Sequence, residues 1–390
     1  MTTDGPATGP NFSLTEEQLM LQKLARDFAQ QEIMPLVEEC DRDSRFPMEL
    51  FEKARQIGLT NMGIPEEYGG LGASAMDEVI VAEELAYACT GISTSLSTNQ
   101  LGALPIILAG TEEQKAHWLG ERLQDRGEFV SYGVTEAAAG SNVIGIETRA
   151  EKRNGAYLLN GAKTFITNAS YAHFFTLFAK TDPAAGHRGM TCFVVDRDTP
   201  GLSVGNKFDK LGQRASDTAE VVLEDVEVPA ENVVGEVGRG FYLAMQVFDY
   251  SRPGVSAAAV GLQRRALEEC VRYAAERIAF GQPIYQHQAV GHKIADMAIH
   301  YHAARLLVWQ AAWQLDAGIH NPQTPAYAKA FAADMATRAA VDAVQVFGGY
   351  GFMKEYPVEK LLRDVKIFQI YEGTSEIQRN IIVRELFAQR

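Results

Sequence analysis

Cysteine is scarce in this 390-residue chain: there are four, Cys40, Cys89, Cys192 and Cys270, far apart and without a C-x-x-C pair. That spacing disfavours both a disulfide framework and a zinc site, and isolated thiols suit a reducing compartment. Positive charge is also short, with 36 Lys and Arg against 50 Asp and Glu and a formal net charge of −14. Without a basic surplus to drive counterion release, broad binding to nucleic acid or to an anionic membrane is disfavoured. No uninterrupted apolar run reaches the length of a membrane span. Residues 1–12 show neither a secretory signal nor the Arg-rich look of a transit peptide, so a flexible tail and a cytoplasmic chain are expected. On that expectation the N-x-S triplets at Asn11 and Asn168 are chance matches.

The common cofactor signatures are missing as well. There is no G-x-x-x-x-G-K-[ST], no G-x-G-x-x-G and no H-E-x-x-H. His300 and His302 lie two apart on an expected helix, hence on diverging faces, and no metal site is expected. A cofactor bound here is not held by the commonest nucleotide cradle.

What is present is an ordinary globular composition, 46% hydrophobic and 22% charged, long enough to bury a sizeable core. Ser13-Leu14-Thr15-Glu16 reads as a capping box opening an amphipathic stretch to about Cys40. Pro47 stands at the start of a second helix, and GIPEEYGGLG (63–72) is loop by its Pro and Gly. Helical spacing resumes over about 76–108 and 111–123. The character then changes. EFVSYGVT, AYLLNGAKTFITN, HFFTLFAKT, MTCFVVD and AEVVLEDVEV read as strands of a largely antiparallel sheet or barrel. Asn154-Gly155 and Asn160-Gly161 read as turns. Long helices are expected over about 238–275, 287–316 and 324–347, with Pro253 kinking or interrupting the first, and shorter ones near 357–367 and 375–388. The fold class is therefore α+β: an N-terminal α-helical domain (13–125), a central β-sheet or barrel domain (126–235) and a C-terminal four-helix-bundle-like α domain (236–390).

Two stretches carry candidate chemistry. In Tyr132-Gly133-Val134-Thr135-Glu136-Ala137-Ala138-Ala139-Gly140-Ser141-Asn142 a strand runs into small residues, which let a ligand approach exposed backbone N–H groups. On these residues alone, an ordinary strand-to-strand loop is the favoured reading. In Ile370-Tyr371-Glu372-Gly373-Thr374-Ser375-Glu376 an acidic residue precedes Gly, and Thr374 or Ser375 N-caps the final helix. Glu372 reads here either as a functional acid or as a solvated loop carboxylate.

With these stretches in view, the chain resembles the acyl-CoA dehydrogenases, a flavoprotein family, and is most similar to the medium- and short-chain members. The likeness covers about residues 12 to 388. It rests on PEEYGGLG (65–72), YGVTEAAAGS (132–141), FITN (165–168), GQRASDT (212–218), FDYSRPG (248–254), ERIAFGQPI (276–284), QVFGGYGF (345–352), EYPVEKLLRDVKI (355–367) and IYEGTSEIQR (370–379), all in order.

The resemblance implies FAD between the central and C-terminal domains, with Tyr132, Val134, Thr135 and Ser141 lining it and Phe165, Ile166 and Thr167 flanking the ring. It places Thr374 and Glu376 on the nucleotide half. Arg277, Phe280, Gln288, Gln345 and Gly349 would reach the FAD of a neighbouring subunit, in a homotetramer built as a dimer of dimers. Glu372 falls on the family's catalytic base, which takes the α-proton of an acyl-CoA thioester while the β-hydrogen leaves as hydride to the flavin. The product is the trans-2-enoyl thioester, an intermediate of fatty-acid β-oxidation, and the electrons pass to an electron-transfer flavoprotein. Such a weak carbon acid needs a base whose proton affinity the site raises and a stabilised enolate oxygen.

Ser141, Phe248, Asp249, Arg252, Tyr371 and Gly373 fall on the substrate side, Arg252 equally readable as a structural ion-pair residue. Ser251 stands where other branches put the base. Ala137-Ala138, Asn142 and Ala279 depart from the common pattern. Two other readings stay open: an acyl-CoA oxidase or a dehydrogenase of an unusual (cyclic, branched or sulfur-containing) thioester, and an inactive thioester-binding paralogue.

Overall fold

The computed structural model describes residues 12–388; most of the expected N-terminal tail lies outside them. The first helix, α1 (Glu16–Phe28), is capped two residues later than the sequence suggests. Thr15 accepts from the Gln18 N–H and Gln18 reaches back, completing a box that displaces the expected Ser13–Glu16 pair. Pro35 lies in a 3₁₀ turn between α1 and α2 (Val37–Arg42), dividing the stretch expected as one helix. Next come α3 (Met48–Gln56), α4 (Ala75–Ala88) and α5 (Thr90–Ala109). Extended Cys89, at φ −159°, separates the last two. The short α6 (Glu112–Gln114) continues as a π-helical stretch, Lys115–Asp125.

The sheet has eight strands: β1 (Val130–Gly133), β2 (Arg149–Arg153), β3 (Ala156–Thr167), β4 (Phe174–Lys180), β5 (Met190–Asp196), β6 (Leu202–Val204), β7 (Thr218–Pro229) and β8 (Val233–Val234). Their order is β6-β7-β3-β2-β4-β5-β8, with β1 beside β4. Pairing is mostly antiparallel, as the strand pattern implies, but β1 and β2 both run parallel to β4. Asn154-Gly155 makes the β2–β3 turn with both residues at positive φ. Asn160-Gly161 does not turn the chain. It lies inside β3, where register slips against β7 between Leu159 and Gly161. A second slip, between Lys163 and Ile166, throws Phe165 out of the ladder.

The remaining helices are α7 (Gly240–Glu276), α8 (Gln288–Asp316), α9 (Gln323–Phe347), α10 (Pro357–Val365) and α11 (Ser375–Ala388). Helix α7 continues through Pro253 without interruption. Between α7 and α8 a small hairpin pairs β9 (Ile278–Ala279) with β10 (Gln282–Pro283). No described helix is long and apolar enough to cross a membrane.

Packing groups the described residues into two compact units. The first holds the residues up to Gln31, Ser74–Thr90 and everything from Arg252 on. Its core is alanine-rich, and α9 packs against α8, α10 and α11. Small residues set the helix spacing: a Cβ on Gly261 would stand 2.3 Å from the Glu83 carbonyl oxygen. Glu83 and Glu84, both buried on α4, take Arg264 at 3.0 and 2.6 Å, Arg26 at 2.8 Å and Arg305 at 2.8 Å. One acidic pair thus ties α1, α4, α7 and α8 together, and its buried charges are all matched. The second unit, Glu32–Ala73 with Gly91–Ser251, contains the sheet and two apolar clusters of its own. All four cysteines are buried, and no disulfide links the described residues.

Candidate active site

Helix α10 passes through a 3₁₀ turn, Lys366–Gln369, into the short loop before α11. Two successive loop residues are left-handed, Glu372 at φ +57° and Gly373 at φ +85°. For a residue bearing a Cβ this costs about 1–2 kcal/mol, so the turn needs support from its surroundings. Gln378 Nε2 donates to the Glu372 carbonyl at 3.1 Å and to that of Gly373 at 2.9 Å. Lys329 Nζ, from α9, donates to the Gly373 carbonyl at 2.6 Å. The Asp334 carboxylate accepts from Gln369 at 2.7 Å, Ser375 at 2.9 Å and Arg379 at 2.7 Å, bridging both ends of the loop. Thr374 Oγ1 accepts the Ile377 N–H at 3.2 Å and is the N-cap of α11, the first of the two expected candidates.

The electrostatics of this corner follow from burial. Lys329 is 1% exposed, and desolvation pushes its ammonium down to about 8, with Glu372 pulling the other way and Arg252 adding to the drop. Burial alone would raise Asp334, but its bonds from Arg379, Gln369 and Ser375 outweigh that and hold it below the usual carboxylate range. Arg252 is buried too, with Nη2 3.9 Å from where a Cβ on Gly373 would stand. The structure therefore brings Arg252, Glu372, Gly373 and Thr374 together. Tyr371 packs edge-on against Phe368 at 5.6 Å. Glu376 is exposed on the first turn of α11.

Elsewhere in the same unit a cavity of about 650 Å³ is lined by Arg277, Phe280, Gly349, Tyr273, Phe347 and Tyr350, among others. The β9–β10 turn holds Phe280 out at 97% exposure and φ +52°. The Arg277 guanidinium lies 5.4 Å from the Tyr350 ring centre. Gln288, at the start of α8, and Gln345, in the last turn of α9, are exposed and are not among the lining residues.

In the second unit β1 delivers the small-residue loop. The Tyr132 ring meets Phe178 at 5.3 Å and Phe248 at 6.0 Å, Val134 is buried, and the Thr135 carbonyl accepts the Thr164 N–H at 2.9 Å. The loop is folded around Glu136, whose carboxylate takes Lys163 Nζ at 2.6 Å, the Thr148 N–H at 3.1 Å and the Glu147 N–H. Lys163 is fully buried, which pushes its ammonium down to about 8 against the pull of Glu136. Ser141 is exposed, and Asp249 is half-buried on α7. Phe165, at φ +59°, is 63% exposed, while its neighbour Ile166 is buried and the Thr167 carbonyl accepts from Ser131 at 2.7 Å.

Lys329 and Asp334 are not among the residues the sequence singles out, nor is the Glu136–Lys163 pair, and Gln378 enters there only as part of the 370–379 signature, without a role of its own. A signal for the first does exist: Lys329 is a charge inside the otherwise small and apolar run Ala326-Tyr327-Ala328-Lys329-Ala330-Phe331. Among the described residues no group of three or more His, Cys, Asp or Glu could hold a metal ion.

Comparison with known families decides what this arrangement belongs to. Three successive models match: acyl-CoA dehydrogenase N-terminal domain over residues 15–125, middle domain over 131–226 and C-terminal domain over 238–387. The chain belongs to the acyl-CoA dehydrogenase family. It is 42% identical to an acyl-CoA dehydrogenase of Bacillus subtilis over 374 residues, 96% of this chain and 98% of the relative. It superposes on butyryl-CoA dehydrogenase from Megasphaera elsdenii with a TM-score of 0.94 and 40% identity, covering 97% of this chain and 100% of that one. The same TM-score and identity, 0.94 and 40%, relate it to a chain solved in work on the electron transferring flavoprotein of Acidaminococcus fermentans, with coverage of 96% and 99%.

Membership makes this acyl-CoA dehydrogenase an oxidoreductase acting on a CH–CH bond, with FAD as its cofactor. The residues present fit that group. In the first unit Phe280 exposes a broad aromatic face from left-handed backbone, a conformation bulky residues rarely adopt without a constraint, and in the second unit Phe165 does the same. Arg277 supplies a guanidinium at the cavity, and a Cβ on Gly348 or Gly349 would meet nothing within 4 Å. Within the first unit alone, a flat ring, a cation and bare backbone suit the aromatic and phosphate parts of such a cofactor.

Proposed function

We propose that this chain oxidises an acyl-CoA to the trans-2-enoyl-CoA, with Glu372 taking the α-proton. The observation that carries the reading is the Glu372–Gly373 turn. Left-handed backbone at both positions presents a carboxylate and its own N–H from one tight loop, and three side chains, Gln378, Lys329 and Asp334, hold that loop in place. A base and an oxyanion donor at one residue suit proton removal next to a thioester carbonyl, where charge develops on the oxygen as the C–H bond breaks. FAD, when bound, supplies the two-electron acceptor for the β-hydrogen. Tyr132, Val134, Thr135, Ser141, Phe165, Ile166, Thr167, Thr374 and Glu376 are assigned to the FAD contacts. Phe248, Asp249, Arg252, Tyr371, Gly373 and Ser141 are assigned to the substrate.

Arg277, Phe280, Gln288, Gln345 and Gly349 are assigned to the FAD of a neighbouring copy in a homotetramer, and the exposure of Phe280 supports this. An electron-transfer flavoprotein is the proposed acceptor, supported by the similarity to the chain from Acidaminococcus fermentans. The three matched spans support a division into domains at 13–125, 126–235 and 236–390.

The test is flavin reduction followed near about 450 nm, where oxidised flavin absorbs, with straight, branched and cyclic acyl-CoAs. Glu372→Gln is expected to bind FAD and acyl-CoA normally yet leave the flavin oxidised. Bleaching at the wild-type rate in that variant removes Glu372 from the reaction.

A further inference from the structure

We infer that Lys329 is a positioning residue for this proton transfer, its ammonium fixing the Gly373 carbonyl and placing a buried positive charge beside Glu372. The inference rests on Glu372 being the base. Its first support is geometric. The Gly373 carbonyl receives two donors, Lys329 at 2.6 Å and Gln378 at 2.9 Å, whereas Glu372's carbonyl receives Gln378 at 3.1 Å. The shortest of these bonds is thus the charged one, and it holds the carbonyl of the residue that follows the base. A left-handed glutamate has no intrinsic reason to stay where it is, so the group that grips its turn sets where the carboxylate points.

The second support is the cost of the arrangement. Lys329 stands between buried Ala328 and Ala330 on α9, at a position where a methionine would fill the same space without desolvating a charge. What lysine adds over methionine is a charged donor aimed at one carbonyl. The charged groups around it are Glu372 on the loop, Arg252 on α7, Asp334 on α9 and Glu376 on α11, with Arg379 on α11 paired to Asp334. Asp334 bonds Arg379, Gln369 and Ser375, and Glu376 faces solvent. Glu372 acts on Lys329, and by reciprocity the ammonium favours the ionised carboxylate, offsetting part of the rise in proton affinity that burial gives a base.

Lys329→Met and Lys329→Gln separate the two roles, since both remove the charge and glutamine retains a neutral donor. Each variant is assayed for flavin reduction across pH, with FAD content and thermal midpoint measured alongside. In Lys329→Met, kcat is expected to fall roughly ten- to hundredfold while KM stays within about threefold, and the acidic limb of the kcat profile to move up by roughly one pH unit. Lys329→Gln is expected to show the same displaced limb with a smaller loss of kcat, and it decides the matter alone if the methionine variant does not hold FAD. Lys329→Arg should return the limb toward its wild-type position. A limb that stays in place in the folded Met or Gln variant overturns the inference, whatever happens to the rate. If Glu372→Gln itself still reduces the flavin, the base assignment has failed instead, and the two failures are distinguishable.

Discussion

Glu372 and Gly373 share a conformation that only one of them adopts cheaply. Gly373, at φ +85°, is also crowded, because a Cβ there would stand 2.8 Å from Gln378 Nε2, the atom that bonds both loop carbonyls. Gly373→Ala should therefore destabilise by about 1–3 kcal/mol, and it should slow flavin reduction by displacing Gln378. A lowered thermal midpoint together with a reduced rate is the expected pair of observations, and an alanine variant matching wild type in both would show that the turn tolerates movement. At this scale the sequence was partly legible. An acid before glycine, followed by a capping threonine, is a local pattern, and the structure has a tight turn and a Thr374 cap there. The support of this turn is only partly local information: Gln378 holds it from six residues away, but Lys329 and Asp334 do so from 43 and 38 residues away in an alanine-rich helix. A side chain that reaches a remote carbonyl leaves no periodic trace, and apolar patterning reads such a helix as core alone.

Among the elements, the ones that bury an apolar face were legible and the ones that do not were missed. Strand β2, Arg149-Ala150-Glu151-Lys152-Arg153, buries only Ala150 and carries four charged residues, so it gives no strand signal; pairing with β3 and β4 makes it a strand. Asn160-Gly161 has turn composition, yet the long β3–β7 ladder absorbs it as an irregularity because pairing on both sides outweighs the local preference. The loop after β1 shows how an element end is fixed by charge. Glu136 ties three backbone and side-chain donors to one place, and Lys163 on β3 is its buried counter-ion. Glu136→Gln should leave that ammonium uncompensated and cost about 3–5 kcal/mol, read as a lower denaturant midpoint. Adding Lys163→Met to the same chain should recover a large part of it. Additive losses in the double variant would mean the pair is not what holds the loop.

For the whole molecule, the acidity that disfavoured nucleic acid and membrane surfaces now sits with a chemistry of polyanions, because FAD and CoA both carry phosphates. A net charge of −14 cannot gather them at a distance, so on the proposed assignment that recognition falls to local cations such as Arg252 and Arg277. The scarcity of cysteine also has an experimental use. The four thiols are buried, two in each compact unit: Cys89 and Cys270 in one, Cys40 and Cys192 in the other. Native enzyme should ignore an alkylating reagent, and every modification should report an opening event. Timed alkylation under mild denaturant, read by peptide mass, is then a clock with two hands. Labels gained at the same rate in both pairs mean the units open together, whereas one pair running ahead identifies the unit that yields first.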